Sequence, residues 1–310
     1  MTLADIDFTL ALGGLVAGII VGLTGMGGAA LVTPMLVMLF GINPATAVSS
    51  DVVAAAVMKP VGSWVHIRNK TVHWGLVSWL SAGSIPGVLL GTWVFSQVVQ
   101  TDDASEVIRS WIGVVLLIAL GAMFAKQWLV ARQRAKGRTL PMTGTKTPVK
   151  VVPTVILGFV VGSIVGMTSV GSGSLIVTIL LLIYPLLRPS VLVGTDITQA
   201  VPMLVAGAIA HAGFGDISMP VVVSLLIGQI PGVLLGARLS SRYDGHLLRW
   251  LLIVVLSATA LKLLGAPSLL SGVIAIIGTA VIGGLMVRDH RRNKRMLGEL
   301  EELESARQPS

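Results

Sequence analysis

The chain has 310 residues, of which 54% are hydrophobic and only 12% are charged, and its formal net charge is +8. Soluble domains carry about 25% charged residues, so this composition excludes a soluble globular protein. The absence of cysteine from the sequence excludes a disulfide framework, a thiolate metal site and a cysteine nucleophile.

The first apolar run, residues 8–40, contains the stretch GLTGMGGAALVTP at 22–34. Each glycine inside a helix costs about 1 kcal/mol, so this cluster of glycines predicts a break in the helix at Gly25–Gly28. Each arm around the break has about 14–16 residues and is roughly 21–24 Å long, shorter than the ~30 Å of hydrocarbon in a bilayer. We therefore predict a re-entrant pair of half-helices, with close helix packing through small residues as the alternative. The run has neither a basic start nor a small-residue cleavage site, so we expect no signal peptide.

The chain is rich in further apolar runs that are long enough to cross a bilayer as helices. We predict transmembrane helices at 45–66, 72–99, 107–125, 190–211, 217–237, 247–261 and 266–287. The predicted fold class is therefore an all-α polytopic membrane protein.

The sequence contains an internal repeat. A shift of 144 residues places GLTGMGGAALV over GMTSVGSGSLI at 166–176, and the identical string IPGVLLG occurs at 85–91 and 230–236. A shift of 145 residues aligns the pairs Pro44 and Pro189, Asp51 and Asp196, Met58 and Met203, and His66 and His211. The chain therefore consists of two related halves, and we predict a second helix break at Ser169–Gly173.

Charge in the loops orients the two halves. Basic residues concentrate at 66–74, 126–150, 238–249 and in the tail, whereas the loops 100–106 and 212–218 carry acidic residues and no Lys or Arg. By the positive-inside rule the basic segments lie in the cytoplasm and the acidic loops lie outside. Equivalent loops of the two halves then face opposite sides of the membrane. This predicts two inverted-topology repeats, whose tips enter from opposite faces and meet near the midplane.

We divide the chain into a first membrane repeat, a basic cytoplasmic linker, a second membrane repeat, one extra transmembrane helix and a cytoplasmic tail. These segments span, in that order, 1–131, 132–150, 151–265, 266–287 and 288–310. Each repeat is expected to hold a re-entrant or broken helix pair and three transmembrane helices. The expected location is a bacterial plasma or inner membrane, with the amino terminus outside. The inside loops explain the positive net charge, so we expect no nucleic-acid partner.

The motif GLTGMGGAALVTPML, followed by NPATAVSSDV and repeated in the second half, resembles the sulfite exporter TauE/SafE family, also known as the 4-toluene sulfonate uptake permeases. The resemblance covers nearly the whole chain through residue 265. It implies a membrane permease for small anions such as sulfite, sulfonates, sulfoacetate or related organic acids. The second copy departs from the pattern, with serines opposite Gly25 and Gly28 and with Thr178 opposite Pro34.

The amino termini of half-helices are suited to anions, because they present free backbone N–H groups and a partial positive charge, and glycine lets a ligand approach closely. Hydroxyl groups near both tips add further donors. The expected substrate-binding residues are Thr24, Gly25, Gly27, Gly28, Lys59, Thr168, Ser169, Gly171, Ser172 and Gly173. The same donors would suit a chloride ion or a row of waters. We expect neither a metal nor a cofactor.

Few ionisable residues lie within the apolar segments, and such residues are functional candidates because burying them in a membrane is costly. Lys59 has Leu204 as its repeat counterpart, so it breaks the symmetry and could attract the anion; a structural ion pair with an aspartate is the alternative. The candidates for proton coupling are Asp51, Asp196, His66 and His211. The alternatives are helix caps for the aspartates and interfacial anchors for the histidines.

The sequence predicts a secondary transporter that binds a small anion near the membrane midplane. It is compatible with proton coupling and does not identify the coupling ion. The sequence is compatible with either export or uptake. It is also compatible with either a monomer or a homo-oligomer. The alternatives are an anion channel, a non-transporting membrane scaffold, and an intramembrane serine hydrolase that uses Ser172 and His211. A hydrolase explains neither the duplication nor the first glycine-rich motif. We therefore expect no enzymatic activity, with the anion and the lipid bilayer as the partners.

Overall fold

The computed structural model describes residues 7–24, 29–135, 145, 147–171, 173–214, 216–240 and 246–267. Within these ranges the regular structure is helical, in the order α1 Phe8–Thr24, α2 Ala29–Met38, α3 Pro44–Arg68, α4 Trp74–Val99, α5 Ala104–Ala135, α6 Val151–Thr168, α7 Ser174–Ile183, α8 Pro189–Phe214, α9 Met219–Ser240 and α10 His246–Leu263. Five of these helices hold segments long and apolar enough to cross a membrane, namely Trp74–Val99, Ala104–Ala125, Val151–Thr168, Ser190–Phe214 and Met219–Gly236. The protein is therefore a polytopic α-helical membrane protein.

Some predicted segments extend beyond the described residues or differ from them. The predicted helix at 266–287, apart from residues 266 and 267, and the tail at 288–310 lie outside the described part of the chain. α5 extends through the described residues to Ala135, and it therefore includes the first residues of the segment that the sequence assigned to the linker. The helix continues because the basic residues at its end follow the apolar run without an intervening glycine or proline.

The second glycine-rich motif interrupts a helix, since residues 169–171 and 173 lie between the end of α6 and the start of α7. The first motif, with the predicted break at Gly25–Gly28, lies outside the described residues, between the end of α1 and the start of α2. The arms have 17 and 10 residues in the first pair and 18 and 10 in the second, so the expectation of about 14–16 residues per arm is wrong. α2 is short because Gly41, with φ of +64°, turns the chain, and the Ile42 N–H bonds to the Leu36 carbonyl at 3.0 Å.

The ten described helices form two sets of five in the same order. α2, α3 and α4 begin 145 residues before α7, α8 and α9 respectively. With this shift of 145 residues, Thr178 is the counterpart of Thr33 and Gly173 is the counterpart of Gly28. The pairing of Thr178 with Pro34, which a shift of 144 residues gives, is therefore wrong. The glycines of α1 and α6 match at a shift of 144, so the second tip contains one additional residue.

Two helix pairs pack through glycine. α1 packs along α9, and α4 packs along α6, so the same pairing occurs twice with the halves exchanged. A Cβ atom on any of the contact glycines would overlap a backbone carbonyl of the neighbouring helix; these glycines include Gly83, Gly87, Gly91, Gly228, Gly232 and Gly236. Their partners advance in step along the neighbouring helix, so both pairs run parallel. The repeated string IPGVLLG therefore supplies two contact glycines in each half.

α3 and α8 cross at the centre of the bundle and run antiparallel; we call them the central pair. Gly62 lies against Ile197, and Gly207 lies against Val52, so the contacts recede along one helix as they advance along the other. α3 has 25 residues and is about 37 Å long, which is enough to span a bilayer, but it is too polar to count among the five apolar spans. Its polar side chains face protein instead of lipid, and the buried ones include Ser49, Ser50, Asp51, Lys59 and Ser63.

Side chains cap the starts of α1, α3 and α4, and at α4 His73 Nδ1 accepts the N–H of Leu76 at 3.2 Å. Asn43 Oδ1 accepts the N–H of Ala45 at 2.9 Å, and a proline follows in the first turn of α3. Asp7 Oδ1 accepts the N–H groups of Thr9 at 2.8 Å and Leu10 at 3.1 Å in front of α1. These hydrogen bonds lower the pKa of Asp7 below its usual value, and the bond from the Leu10 N–H has the largest effect.

Candidate functional site

A buried carboxylate connects the two halves at the second tip. Asp51, which is 2% exposed, accepts hydrogen bonds on Oδ2 from Thr33 Oγ1 at 2.5 Å and from Ser169 Oγ at 3.0 Å. Thr33 belongs to α2 of the same half, whereas Ser169 belongs to the tip of the other half. The contact lies about 10 Å from the start of α3, so this tip meets the central pair towards one end and not at its middle.

Neither intramembrane aspartate caps a helix. α3 begins at Pro44 with Asn43 as its cap, and Asp51 lies two turns further along. α8 begins at Pro189, and Asp196 occupies the equivalent place within it, also buried. The capping alternative is therefore wrong for both aspartates, because a capping side chain must precede the first turn of its helix.

The second tip is a tight turn inside the protein. Ser169 has φ of +60° and its N–H bonds to the Val165 carbonyl at 2.7 Å, which closes α6. The Thr168 hydroxyl accepts the N–H of Val170 at 3.2 Å and donates to the carbonyl of Ile164 at 2.8 Å. Thr168 and Ser169 are both 1% exposed, as irregular backbone at membrane depth requires.

The remainder of this tip leads into α7. Gly171 has φ of +123°, a conformation that side chains rarely adopt, and Gly173 directly precedes the first residue of α7. Both glycines are buried. The described part of the tip thus places the amino terminus of a half-helix in the protein interior, where its free N–H groups favour an anion.

His211 is fully buried beside this tip. Its Nε2 lies 3.0 Å from the Gly166 carbonyl, its Nδ1 lies 3.0 Å from Ser49 Oγ, and the Phe95 ring packs edge-on at 5.0 Å. A carbonyl only accepts, so Nε2 carries the proton in this bond. His211 joins three helices, α3, α6 and α8. The interfacial-anchor alternative is therefore wrong for His211, because the side chain is 0% exposed.

His66 differs from its repeat counterpart. It is half-buried near the end of α3, where its Nδ1 lies 2.9 Å from Thr71 Oγ1. Gly194 packs against His66 at the place where Ser49 faces His211. The two histidines therefore have different partners because a glycine replaces a serine on the opposite helix.

Lys59 lies close to the middle of α3 and interacts mainly with the other half. It is 6% exposed and interacts electrostatically with Asp196 and, to a smaller extent, with Asp51. One turn further along α3, Ser63 Oγ donates to Thr198 Oγ1 at 3.1 Å. The buried cation therefore lies on the Asp196 side, between the two aspartates that the sequence singled out.

Gln199 is a buried polar residue that the sequence reasoning missed. Its Oε1 accepts the Ser84 hydroxyl at 3.2 Å, and its Nε2 has no hydrogen-bond partner among the described residues. Leaving a buried donor unsatisfied costs about 1–3 kcal/mol, so such a group calls for a functional explanation. The repeat alignment held the signal, because the counterpart of Gln199 is Ala54.

Each helix of the central pair accepts a hydrogen bond from a loop, in which a backbone N–H of the loop donates to a side-chain hydroxyl of the helix. The Ser218 N–H donates to Ser50 Oγ at 3.1 Å, and the His73 N–H donates to Thr195 Oγ1 at 3.0 Å. Each hydroxyl belongs to the residue directly before an intramembrane aspartate. The loops that lead into α4 and α9 are thus held beside the two aspartates in the same way.

Several expected site residues lie outside the described part of the chain, namely Gly25, Gly27, Gly28 and Ser172. Thr24 is described only as the last residue of α1. No cluster of three or more His, Asp or Glu residues that could hold a metal ion occurs in the described ranges. The described site therefore consists of the second tip and the central pair.

A bundle of apolar helices with interrupted helices inside it and ionisable residues buried at its centre is characteristic of membrane transporters. The chain belongs to the sulfite exporter TauE/SafE family, whose model matches residues 10–263, and it is a membrane transporter of that type. It is 36% identical over 260 residues to the probable membrane transporter protein YjnA of Bacillus subtilis, which covers 83% of this chain and 99% of that protein. It is also 25% identical over 278 residues to the probable membrane transporter protein YunE of the same organism, covering 84% of this chain and 96% of that protein. No solved structure shows a significant match to the chain.

Proposed function

We propose that this protein is a secondary transporter for a small oxyanion, namely sulfite, an organosulfonate or a related sulfur-containing or carboxylate anion. The observation that carries the proposal is the buried contact between Asp51 and Ser169. A charged group on a central helix is held there by a hydroxyl from a broken-helix tip of the other half. Family membership supports transport, and the chemistry of the tip supports an anion.

The packing supports an inverted arrangement of the two halves. α3 and α8 are repeat counterparts, and they run antiparallel in the central pair. Two equivalent helices that cross a membrane in opposite directions are related by an axis in the membrane plane, as in other transporters built from inverted repeats. In this arrangement the two tips approach the central pair from opposite faces, and each half supplies a part of the substrate path.

The substrate is held by donors from both halves. In the proposed site the anion accepts hydrogen bonds from donors of the tip segments 24–28 and 168–173, and the positive charge of Lys59 attracts it. The repeat counterpart of Lys59 is the apolar Leu204. The positive charge of Lys59 therefore favours a negatively charged ligand on one side of the central pair and has no equivalent on the other. A small oxyanion suits this site because several N–H and O–H donors can each bond to a different oxygen.

Proton coupling follows from competition at the second tip. The Asp51 carboxylate accepts a hydrogen bond from the Ser169 hydroxyl. In the proposed site the anion would accept a hydrogen bond from the same hydroxyl. Two negative charges at one buried site repel each other, so a proton on Asp51 would free the hydroxyl and favour anion binding. Asp196 occupies the equivalent place in the other half, and His66 and His211 are the further candidates to carry the proton.

Reconstitution of the purified full-length chain into liposomes tests this function. We expect that trapped unlabelled sulfite drives transient uptake of labelled sulfite, since counterflow requires a carrier that alternates between two sides. Methanesulfonate and acetate, tested in the same way, define the range of anions. Downhill flux without counterflow would favour an anion channel, and no flux of any of the three anions would contradict the proposal.

The hydrolase alternative has a separate test. Both ring nitrogens of His211 already engage groups other than Ser172, namely Ser49 and the Gly166 carbonyl. We expect that Ser172→Ala retains counterflow with a raised KM for the anion, because the transporter uses Ser172 as one donor among several and needs no nucleophile at this position. Loss of a hydrolytic activity in this variant, with no effect on transport, would support the hydrolase instead.

A further inference from the structure

The central pair is chemically asymmetric although its backbone repeats. On the Asp196 side α3 carries Lys59 and Ser63, and α8 carries Thr198 and Gln199, all of them buried. In the other half the counterparts of these four residues are all apolar, namely Leu204, Ala208, Val53 and Ala54. The central pair therefore holds its buried lysine and its buried glutamine on one side only.

Gln199 stands out among these residues by its hydrogen bonds. Ser63 and Thr198 bond to each other, and Thr198 also donates to the Gly194 carbonyl at 2.7 Å. In contrast, only one end of the Gln199 amide is held, by the Ser84 hydroxyl. The other end, Nε2, is buried and has no partner among the described residues.

Packing explains the size of this side chain and not its unsatisfied end. In the other half Ala54 and Gln229 occupy the positions of Gln199 and Ser84, so each half places one glutamine and one small residue at these two positions. An amide that is fully buried with one end unsatisfied is destabilising. Its presence on the asymmetric side of the central pair is explained if a ligand completes its hydrogen bonds.

We propose that Gln199 binds the transported oxyanion and determines which anion is accepted, while Ser84 holds the other end of the amide in place. This inference rests on the proposed function. Asp196 lies one turn before Gln199 on the same side of α8, and Lys59 interacts electrostatically with Asp196. Lys59 thus offsets the negative charge of Asp196 beside the amide. The amide is a neutral, directional donor and favours an oxyanion over a halide, since an amide N–H selects by geometry whereas an ammonium selects by charge alone.

Counterflow of labelled sulfite in liposomes tests this inference, with methanesulfonate, acetate and chloride as competitors. Gln199→Met keeps the size of the side chain and removes its donors, so the KM for sulfite should rise about tenfold or more, the loss of one hydrogen bond to a charged acceptor. Chloride should compete better in this variant. Because an unsatisfied amide has been removed, its unfolding temperature should be unchanged or higher.

Three further variants complete the test. Gln199→Glu should impair transport more than Gln199→Met, because a carboxylate repels the anion. Ser84→Ala should raise KM by a smaller factor with kcat unchanged, as expected of a positioning residue. The matched control is Gln229→Met, a buried glutamine on α9 at the repeat position of Ser84, which should keep the KM of the wild type.

The outcomes separate this inference from the proposed function. An unchanged KM for sulfite in Gln199→Met, together with a lower unfolding temperature, would assign the residue a structural role and overturn the inference alone. If Gln199→Met does not fold, an unchanged KM and anion preference in Ser84→Ala would overturn it. Absence of transport by the wild type would overturn the proposed function, and this inference with it.

Discussion

Asp51 and Lys59 are eight residues apart on α3, about 12 Å, and each engages a different part of the protein. Asp51 bonds to Thr33 and to the second tip, whereas Lys59 interacts chiefly with Asp196. α3 therefore carries a carboxylate towards its start and a cation close to its middle. Substitutions at the two positions should accordingly have different consequences.

Lys59→Met should weaken anion binding more than it lowers the yield of folded protein. Removing one partner of a buried ion pair destabilises by about 3–5 kcal/mol, so a purely structural Lys59 would collapse expression, and an added Asp196→Asn would restore it. If Lys59 serves the anion, the double variant should fold and still show a KM raised about tenfold or more. Purified yield, unfolding temperature and sulfite counterflow decide the matter. Recovery of both stability and transport in the double variant would contradict the anion role.

Asp51→Asn should separate exchange from accumulation. Asparagine keeps an acceptor for the Thr33 and Ser169 hydroxyls but cannot take up a proton. We expect that the variant retains sulfite counterflow and loses accumulation driven by a pH gradient across the liposome membrane. Asp103→Asn, at an exposed loop position, serves as the control. If Asp51→Asn still accumulates sulfite in response to the gradient, Asp51 does not carry the coupled proton.

At the scale of elements, glycine decides which helices lie side by side. In lipid the hydrophobic effect does not drive helices together, so close backbone approach supplies the packing energy. α4 meets α6, and α9 meets α1, with glycine at every turn of the contact. These pairs join the halves, so each interrupted helix is supported by a helix of the other half.

Gly91→Ala should destabilise the protein, because a Cβ atom there would overlap the Ser163 carbonyl of α6. Overpacking of this kind typically costs about 1–3 kcal/mol. Gly121→Ala is the matched control, since nothing lies within 4 Å of a Cβ at this position, and replacing a helical glycine there should be neutral or stabilise by up to about 1 kcal/mol. Thermal unfolding of both variants in detergent provides the comparison. Equal unfolding temperatures would mean that the α4–α6 contact does not limit stability.

At the scale of the whole molecule, the halves exchange partners around the central pair. α1 packs on α9 as α6 packs on α4, and α3 packs on α8. The loop bonds of Ser218 to Ser50 and of His73 to Thr195 repeat this exchange at the two ends of the central pair. An inverted topology places these two loops on opposite faces of the membrane, which cysteine labelling can test directly.

Single cysteines can be introduced without background because the chain has none. Asp103→Cys and Asp216→Cys should react with an impermeant thiol reagent from outside the cell, whereas Thr143→Cys should react only after the membrane is opened. The reason is the charge of the surrounding loops, which places the basic linker in the cytoplasm. Labelling of Asp216→Cys and Thr143→Cys from the same side would contradict the inverted arrangement.

Local properties of the sequence were enough to predict the class of fold and the interruption between α6 and α7. Composition excludes a water-exposed globular surface, and the break between α6 and α7 follows from the backbone preferences of the few residues at 169–173. The predicted break at Gly25–Gly28 lies outside the described residues. The repeat likewise predicted equivalent positions, such as Asp51 and Asp196. The end of α2 was not predicted, because it depends on the turn at Gly41. The end of α7 was not predicted either, because it depends on Pro185, which disfavours helix at the residue before it.

The contacts within the site depended on the tertiary structure. Ser169 meets Asp51 across 118 residues, and Ser49 meets His211 across 162, and no local pattern specifies such partners. The repeat predicted that His66 and His211 are equivalent, yet packing buries one and leaves the other half-buried beside Thr71. Gln199 was missed because a single buried amide has no periodicity. Gln199 is notable because its Nε2 donor has no partner among the described residues. Whether a buried donor finds a partner depends on the packing of all the neighbouring helices.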